Sequence, residues 1–321
     1  MTRWKSLAMI VGVLAALGSA IVSGQQKPVE NQSSVTKAQF DQWFKTMSNW
    51  GRWGKDDERG ALNLITPGKA KAAAALVKTG QSVSLEKPVT RDMPPSGPQP
   101  RKVNSGGAYT SFFLAEPDVL YERQEMEYHG GRLSHFDALC HFAYEGKLYN
   151  GFNFKDVATE AGGCSKLSVN VAKDGVVTRG ILIDLPGKRV TRADLEAWEK
   201  KTGIKVSSGD ALLLRSTRPD LPRGSFGAAG WDPSVLPFLK ERDVAVLGND
   251  MAQEGGMVAG IPVPVHAFVI PALGIHLLDN QNLDDVAALA AKLNRYEFML
   301  VVGPLRVQYG AGSPVNAVAI F

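Results

Sequence analysis

The sequence predicts a single α/β domain on three observations. Short β-branched or apolar runs closed by Gly, Pro, Asp or Asn recur along the chain, capped helical segments lie between them, and no low-complexity linker divides it. With 44% hydrophobic against 21% charged residues in 321, the chain can bury a sizeable core.

Five runs read as strands: VSLEKPV from Val83, GILIDLP from Gly180, ALLLRST from Ala211, VAVLGND from Val244 and FMLVVGPLRV from Phe298. Several are apolar without alternation, which predicts burial on both faces. Between them TRADLEAWEKKTG opens with Thr191 and Asp194 in a capping-box pattern and closes at Gly203, and LDDVAALAAKLN is a second helix. The loop-rich block RDMPPSGPQPRKVNSGG, residues 91–107, is too short for an interdomain linker.

Ahead of these elements, residues 1–24 place Arg3 and Lys5 before an apolar run from Leu7 to Val22, with small residues around Gly24. This is the arrangement of a secretory signal peptide. An uncleaved anchor is the rival, but Gly12, Gly18 and Ser19 interrupt the run, and no second apolar stretch is long enough to span a bilayer. Residues 25–35 are polar and read as a flexible tether, which leaves 36–321 for the fold and predicts a periplasmic or secreted protein. Removing Arg3 and Lys5 leaves 34 basic against 32 acidic residues, a net charge of +2 rather than +4, and nothing in that balance attracts nucleic acid.

An exported chain can use a disulfide, and there are two cysteines, Cys140 and Cys164. Sequence does not show whether their Cα atoms approach closely enough to bridge. The place of Cys140 between Leu139 and His141 favours two buried free thiols.

All five histidines fall in two places: His129, His135 and His141 in one, His266 and His276 in the other. In an extended segment, alternation puts His135 and Asp137 on one face. Their neighbours Leu133, Phe136, Leu139 and Phe142 are apolar, where an ionised Asp is costly without a cation or several donors. A divalent metal held by the pair is one reading; a structural His–Asp hydrogen bond is the other, with His141 an ordinary buried histidine. Trp43, Trp50 and Trp53 either line an aromatic pocket or simply pack. Asp250 either reaches the site or caps a turn. Arg215 and Arg218 read as structural, and His276 as a packing residue with a third-ligand role as its alternative. No GxSxG elbow, Walker A or GxGxxG loop is present, which disfavours a serine mechanism and phosphate cradles.

The segment SHFDALCHF resembles the central motif HxGTHxDxPxH of the metal-dependent cyclase superfamily, shared by bacterial kynurenine formamidases and isatin hydrolases. Ser134 stands for the Thr, His135, Asp137 and His141 match directly, Leu139 replaces the Pro, and Gly131 occupies the place of the first His. His129, two residues earlier, supplies the missing ligand if the Gly130–Gly131 turn shortens its reach; otherwise the site has one ligand fewer. The blocks NWGRWGKDDERGALNLITP, VVTRGILIDL, GDALLLRSTR, VHAFVIPALGIHLLDNQNLDDV, FMLVVGPLRV and GAGSPVNAVAIF also look like successive parts of the longer members, from about Trp43 to Phe321. In the formamidases a His and a Glu of the C-terminal block help bind a second metal, and the matching positions are His266 and Asp279. Aspartate for glutamate keeps the charge and shortens the arm by one methylene.

The resemblance implies an α/β domain of swivelling β/β/α type with a mixed central sheet, assembled as a dimer or tetramer. It implies an amidohydrolase dependent on Zn²⁺ or Mn²⁺, to which the leader adds export, with His129, His135, Asp137, His266 and Asp279 as ligands and His141, one helical turn beyond Asp137, as general base. The substrate would be a small aromatic or cyclic amide, with arylformamidase-like conversion of N-formylkynurenine to kynurenine and formate as the family-implied reaction. The competing reading, motivated by Gly131 and Asp279, is a secreted small-molecule binding protein that kept the fold and lost catalysis. Neither reading includes nucleic acid or a membrane span after leader cleavage.

Overall fold

The computed structural model describes residues 32–90, 109–217 and 228–321. The leader, tether residues 25–31, the block 91–107 and Arg218 lie outside the described residues. Nine strands form one mixed sheet: β1 (Ser82–Ser84), β2 (His135–Asp137), β3 (Val176–Asp184), β4 (Ala211–Arg215), β5 (Val246–Asn249), β6 (His276–Asp279), β7 (Glu297–Val302), β8 (Gly312–Pro314) and β9 (Val318–Ile320). Their spatial order is β1-β9-β7-β3-β4-β5-β6-β2-β8.

The centre is parallel. Strands β3, β4, β5 and β6 run side by side in chain order, and every residue of β5 and β6 is buried, which explains why their runs lack polar alternation. On one flank β7 pairs antiparallel with β3, and its burial alternates as expected for a strand packed on one face. On the other flank β2 pairs antiparallel with β6, and β8 with β2. This flank carries the functional cluster.

The α-helices of five residues or more among the described residues are α1 (Lys37–Met47), α2 (Pro67–Ala74), α3 (Arg192–Thr202), α4 (Leu236–Glu241), α5 (Pro264–Phe268) and α6 (Asp284–Leu293). The α3 capping box is formed by Thr191 and Asp194, and Gly203 closes the helix in the left-handed region at φ 74°. Helix α5 runs into a π-helical turn, Val269–Leu273, which delivers the chain to β6. No helix among the described residues is long and apolar enough to cross a membrane.

Three features depart from the sequence reading. Residues 32–35 do not belong to a free tether. Ser33 donates from its backbone to Met257 O at 2.8 Å and from its hydroxyl to Asp232 at 3.0 Å, and Val35 is buried; polar side chains with partners join a fold as readily as apolar ones. The cysteines are not free: Cys140 and Cys164 form a disulfide with a Cα–Cα distance of 6.2 Å. The expectation of free thiols weighed only the neighbours of Cys140, whereas the arm 158–164 folds back over its turn. Finally, Tyr109–Glu116 and Val119–Met126 form a two-stranded hairpin outside the main sheet, with Phe113, Leu114, Leu120 and Tyr121 exposed. It leads directly to His129.

Candidate metal centre

The three residues of β2 set the geometry. Alternation turns His135 and Asp137 to one face and Phe136 to the other, where its ring stacks on His276 with centroids 4.9 Å apart. His135 lies directly opposite Asp279 of β6, so cross-strand pairing brings together two residues far apart in the chain. Helix α5 adds His266, whose Nε2 is 3.3 Å from Asp279 Oδ2 and 3.8 Å from Asp137 Oδ2.

His129 completes the ring of donors. Gly130 N donates to Tyr128 O at 2.7 Å, and Asn280 Nδ2 to Gly130 O at 2.5 Å. The tightened turn shortens the reach of His129 and places its Nε2 3.3 Å from Asp137 Oδ1, with His135 Nε2 at 3.4 Å from the same oxygen. Gly312 of β8 makes room for it: a Cβ there would stand 2.7 Å from His129 Nε2 and 2.6 Å from Phe136 O. His129, Asp137 and His141 form one group with donor atoms within 4.8 Å of one another, and His135, Asp137 and Asp279 form another. The other four sequence-nominated ligands therefore gather around Asp137.

The polar atoms that face inward are unsatisfied. Asp137 is fully buried, yet neither of its oxygens accepts a well-formed hydrogen bond, and His129 Nε2 makes none. The other imidazoles have one nitrogen committed: His135 Nδ1 donates to Leu133 O at 2.9 Å, and His266 Nδ1 to Glu254 Oε1 at 2.8 Å. Each thus turns Nε2 towards the carboxylates in a fixed tautomer. Orphaned carboxylate oxygens among inward imidazole nitrogens are a donor set suited to a divalent cation.

Electrostatics follow the same geometry. Burial pushes the Asp137 carboxyl up, but the His141, His135 and His129 imidazoles outweigh it and hold it well below the usual carboxylate range. Burial works against a charged His266, yet Glu254 and Asp279 raise its pKa well above the ordinary value. Burial lowers His141 to about 4, against the pull of Asp137. It likewise lowers His276 to about 4; that ring donates from Nδ1 to Asp137 O at 2.9 Å and stands behind the ligand strand.

His141 differs from expectation in one respect. Residues 138–141 form a turn, closed by His141 N donating to Ala138 O at 3.0 Å, and not a helix. Its ring stacks flat on His129 with centroids 4.0 Å apart. It therefore stands within the donor group and also at the edge of a cavity.

Two supporting residues escaped the sequence reading. Glu254 accepts from both the backbone N and Nδ1 of His266, and Gln253 donates its amide to Asp279. Their only signal was a glutamine and an acid in the glycine-rich stretch MAQEGGMVAG. Gly255 fixes this stretch, since a Cβ there would lie 2.2 Å from Gly230 O.

The remaining candidates are structural. Asp250 accepts from Ser216 N and Thr217 N, both at 3.0 Å, and so caps that turn. Arg215 pairs with Asp184 at 2.6 Å and Asp284 at 2.8 Å. Trp43 and Trp53 pack against the core and Trp50 Nε1 donates to Pro271 O at 2.6 Å; none lines the cavity beside His141. Asp279 does not cap α6, whose N-cap position is Leu283.

Sheet and donor cluster together define an α/β protein with a candidate metal centre on the antiparallel flank of a mixed sheet. The Cyclase family model, described as "Putative cyclase", matches residues 61–253, more than half of the chain, and the chain belongs to that family. A solved structure described as a novel cyclase is 29% identical, with a TM-score of 0.76 over 87% of this chain and 99% of that one. Isatin hydrolase A from Ralstonia solanacearum shares the fold, at 21% identity and a TM-score of 0.55 over 79% of this chain and 97% of its own. Among curated proteins, the isatin hydrolase of Roseibium aggregatum is 29% identical over 147 residues, 40% of this chain. The match spans about half of that relative's length, 51%.

Proposed function

We propose that this protein is a metal-dependent hydrolase that cleaves the C–N bond of a small aromatic or cyclic amide. The observation that carries the reading is the convergence of His129, His135, His266 and Asp279 on Asp137, whose buried oxygens have no hydrogen-bond partner. The fit supports a divalent cation, Zn²⁺ or Mn²⁺, on these five residues. When bound, it would supply Lewis acidity to polarise the scissile carbonyl. The relatives named isatin hydrolase favour a cyclic amide, and an arylformamidase-like reaction on N-formylkynurenine belongs to the same C–N class.

The residues of the chain do the rest. His141 is neutral at pH 7, because burial holds its pKa at about 4, so a ring nitrogen is free to accept a proton and return it to the leaving nitrogen. Glu254 and Gln253 hold His266 and Asp279 against rotation. Export fits both the leader-like residues 1–24 and the Cys140–Cys164 disulfide, which an oxidising compartment preserves. Assembly as a homo-oligomer belongs to the same reading, and the exposed apolar side chains of the 109–126 hairpin support it.

The test is turnover of a panel of N-formyl anilides and lactams by metal-loaded protein. His141→Ala is expected to cut the rate by roughly 10²–10⁴ while KM changes little and metal content stays constant. Loss of metal in a folded His141→Ala protein would make His141 a ligand instead of the base. No turnover on any amide would favour the binding-protein alternative.

A further inference from the structure

The space beside His141 bears on what the site accepts. A cavity of about 260 Å³ opens between the turn that carries His141 and the arm 158–164. The arm is held in three ways. Ala158–Thr159 pairs antiparallel with Gly163–Cys164, Cys164 N donates to Tyr309 O at 2.9 Å, and the disulfide joins Cys164 to the residue preceding His141. The lining combines the Phe154 ring, Ala158 and the disulfide with one carboxylate, Glu160, and contains no lysine or arginine.

Size and charge each narrow the ligand. An apolar cavity of roughly 150 Å³ holds one benzene, so this one is large enough for a single substituted ring. An anionic substituent would face Glu160 with no cation among the lining residues to offset it, whereas a neutral or cationic one meets no such penalty.

We propose that this cavity is the subsite for the non-reacting ring of the substrate, that it accepts one neutral or cationic ring and discriminates against an anionic one, and that the Cys140–Cys164 disulfide fixes its width. Its role as a substrate subsite rests on the hydrolase reading above; its occupancy by a ring does not.

Binding of benzyl alcohol, benzylammonium and benzoate to the metal-loaded full chain tests it, read by NMR at the Phe154 ring so that a carboxylate held elsewhere is not counted. The first two are expected to bind, with benzoate at least tenfold weaker. Glu160→Lys, at an exposed position, is expected to reverse the order of benzylammonium and benzoate. Ala158→Trp is expected to abolish the Phe154 response to all three probes, and Cys140→Ser/Cys164→Ser to weaken ring binding at least threefold with metal content unchanged. Benzoate binding as tightly as benzylammonium, or an order unaltered by Glu160→Lys, would overturn the charge selection. Ring binding untouched by opening the disulfide would overturn its role in setting the width. Ring binding without turnover of any amide would count against the hydrolase alone; turnover of aryl amides without any Phe154 response would count against the subsite alone.

Discussion

The donor cluster is assembled from two regions prepared in different ways. Residues 129–141 bring inward atoms without a hydrogen bond, His129 Nε2 and both Asp137 oxygens. Residues 253–279 bring side chains that are already braced, His266 by Glu254 and Asp279 by Gln253. The first region leaves its central carboxylate without a hydrogen bond, while the second holds its two nominated ligands by side-chain bonds, although Gln253 Oε1 and His276 Nε2 there also lack a hydrogen-bond partner. Affinity for a cation therefore belongs mainly to the first region and precision of placement to the second.

The strongest way to break this contrast is Asp137→Asn, which keeps the shape and removes the charge on which all the imidazoles converge. Cation affinity is expected to fall by more than about 100-fold, beyond the roughly 10–100-fold typical of a supporting residue. Wild type should also gain about 2.7 kcal/mol of stability at a free cation concentration 100 times Kd. That gain should vanish in the variant, as seen by elemental analysis and by denaturant melts with and without the cation. A persistent cation-dependent gain would place the centre elsewhere.

Glu254→Gln probes the braced region. It should lower cation affinity by roughly 10–100-fold, and it should also destabilise the cation-free protein by on the order of 3 kcal/mol, because it breaks a buried ion pair. Asp137→Asn should change cation-free stability less. Reversal of that ranking in cation-free urea melts would show that the two regions are prepared alike.

The same contrast explains what was legible in the sequence. Strands β4 and β5 and helix α3 could be read because burial on both faces and a capping box leave local marks, whereas β6 was not read as a strand. The pairing of His135 with Asp137 was legible for the same reason, being a two-residue alternation. His266 and Asp279 reached the site through family resemblance alone, since the β2–β6 register that places Asp279 opposite His135 spans more than half the sheet-forming chain and leaves no local trace. His129 was legible only conditionally, because its reach depends on a turn closed by Asn280 from another part of the chain. Glu254 and Gln253 were not legible, since bracing arises only once the chain is packed. The disulfide was misread because local apolarity says nothing about which segment folds over a thiol.

Protonation gives the smallest expected effect and the last distinction between the two regions. In the cation-free protein His141 has a pKa lowered to about 4 and His266 one raised well above the ordinary value. Below about pH 6.5 the unfolded chain takes up a proton at His141 that the folded chain refuses until about pH 4, so this contribution to stability is full above pH 6.5 and is lost as the pH falls between those values. At 1.36 kcal/mol per unit the loss has a ceiling of about 3 kcal/mol, reduced by the partial exposure of the ring. His266 behaves oppositely: its contribution is fully present below the unfolded pKa, and it declines as the pH rises from there and is lost once the pH passes the folded pKa. His276, also lowered to about 4, adds a slope of the same sign as His141. Urea melts of the cation-free protein at pH 7 and pH 4.5 should therefore show a stability loss that shrinks in His141→Gln and shrinks further when His276→Gln is added. An unchanged loss in the double variant would mean that these rings are not held neutral by burial at pH 4.5.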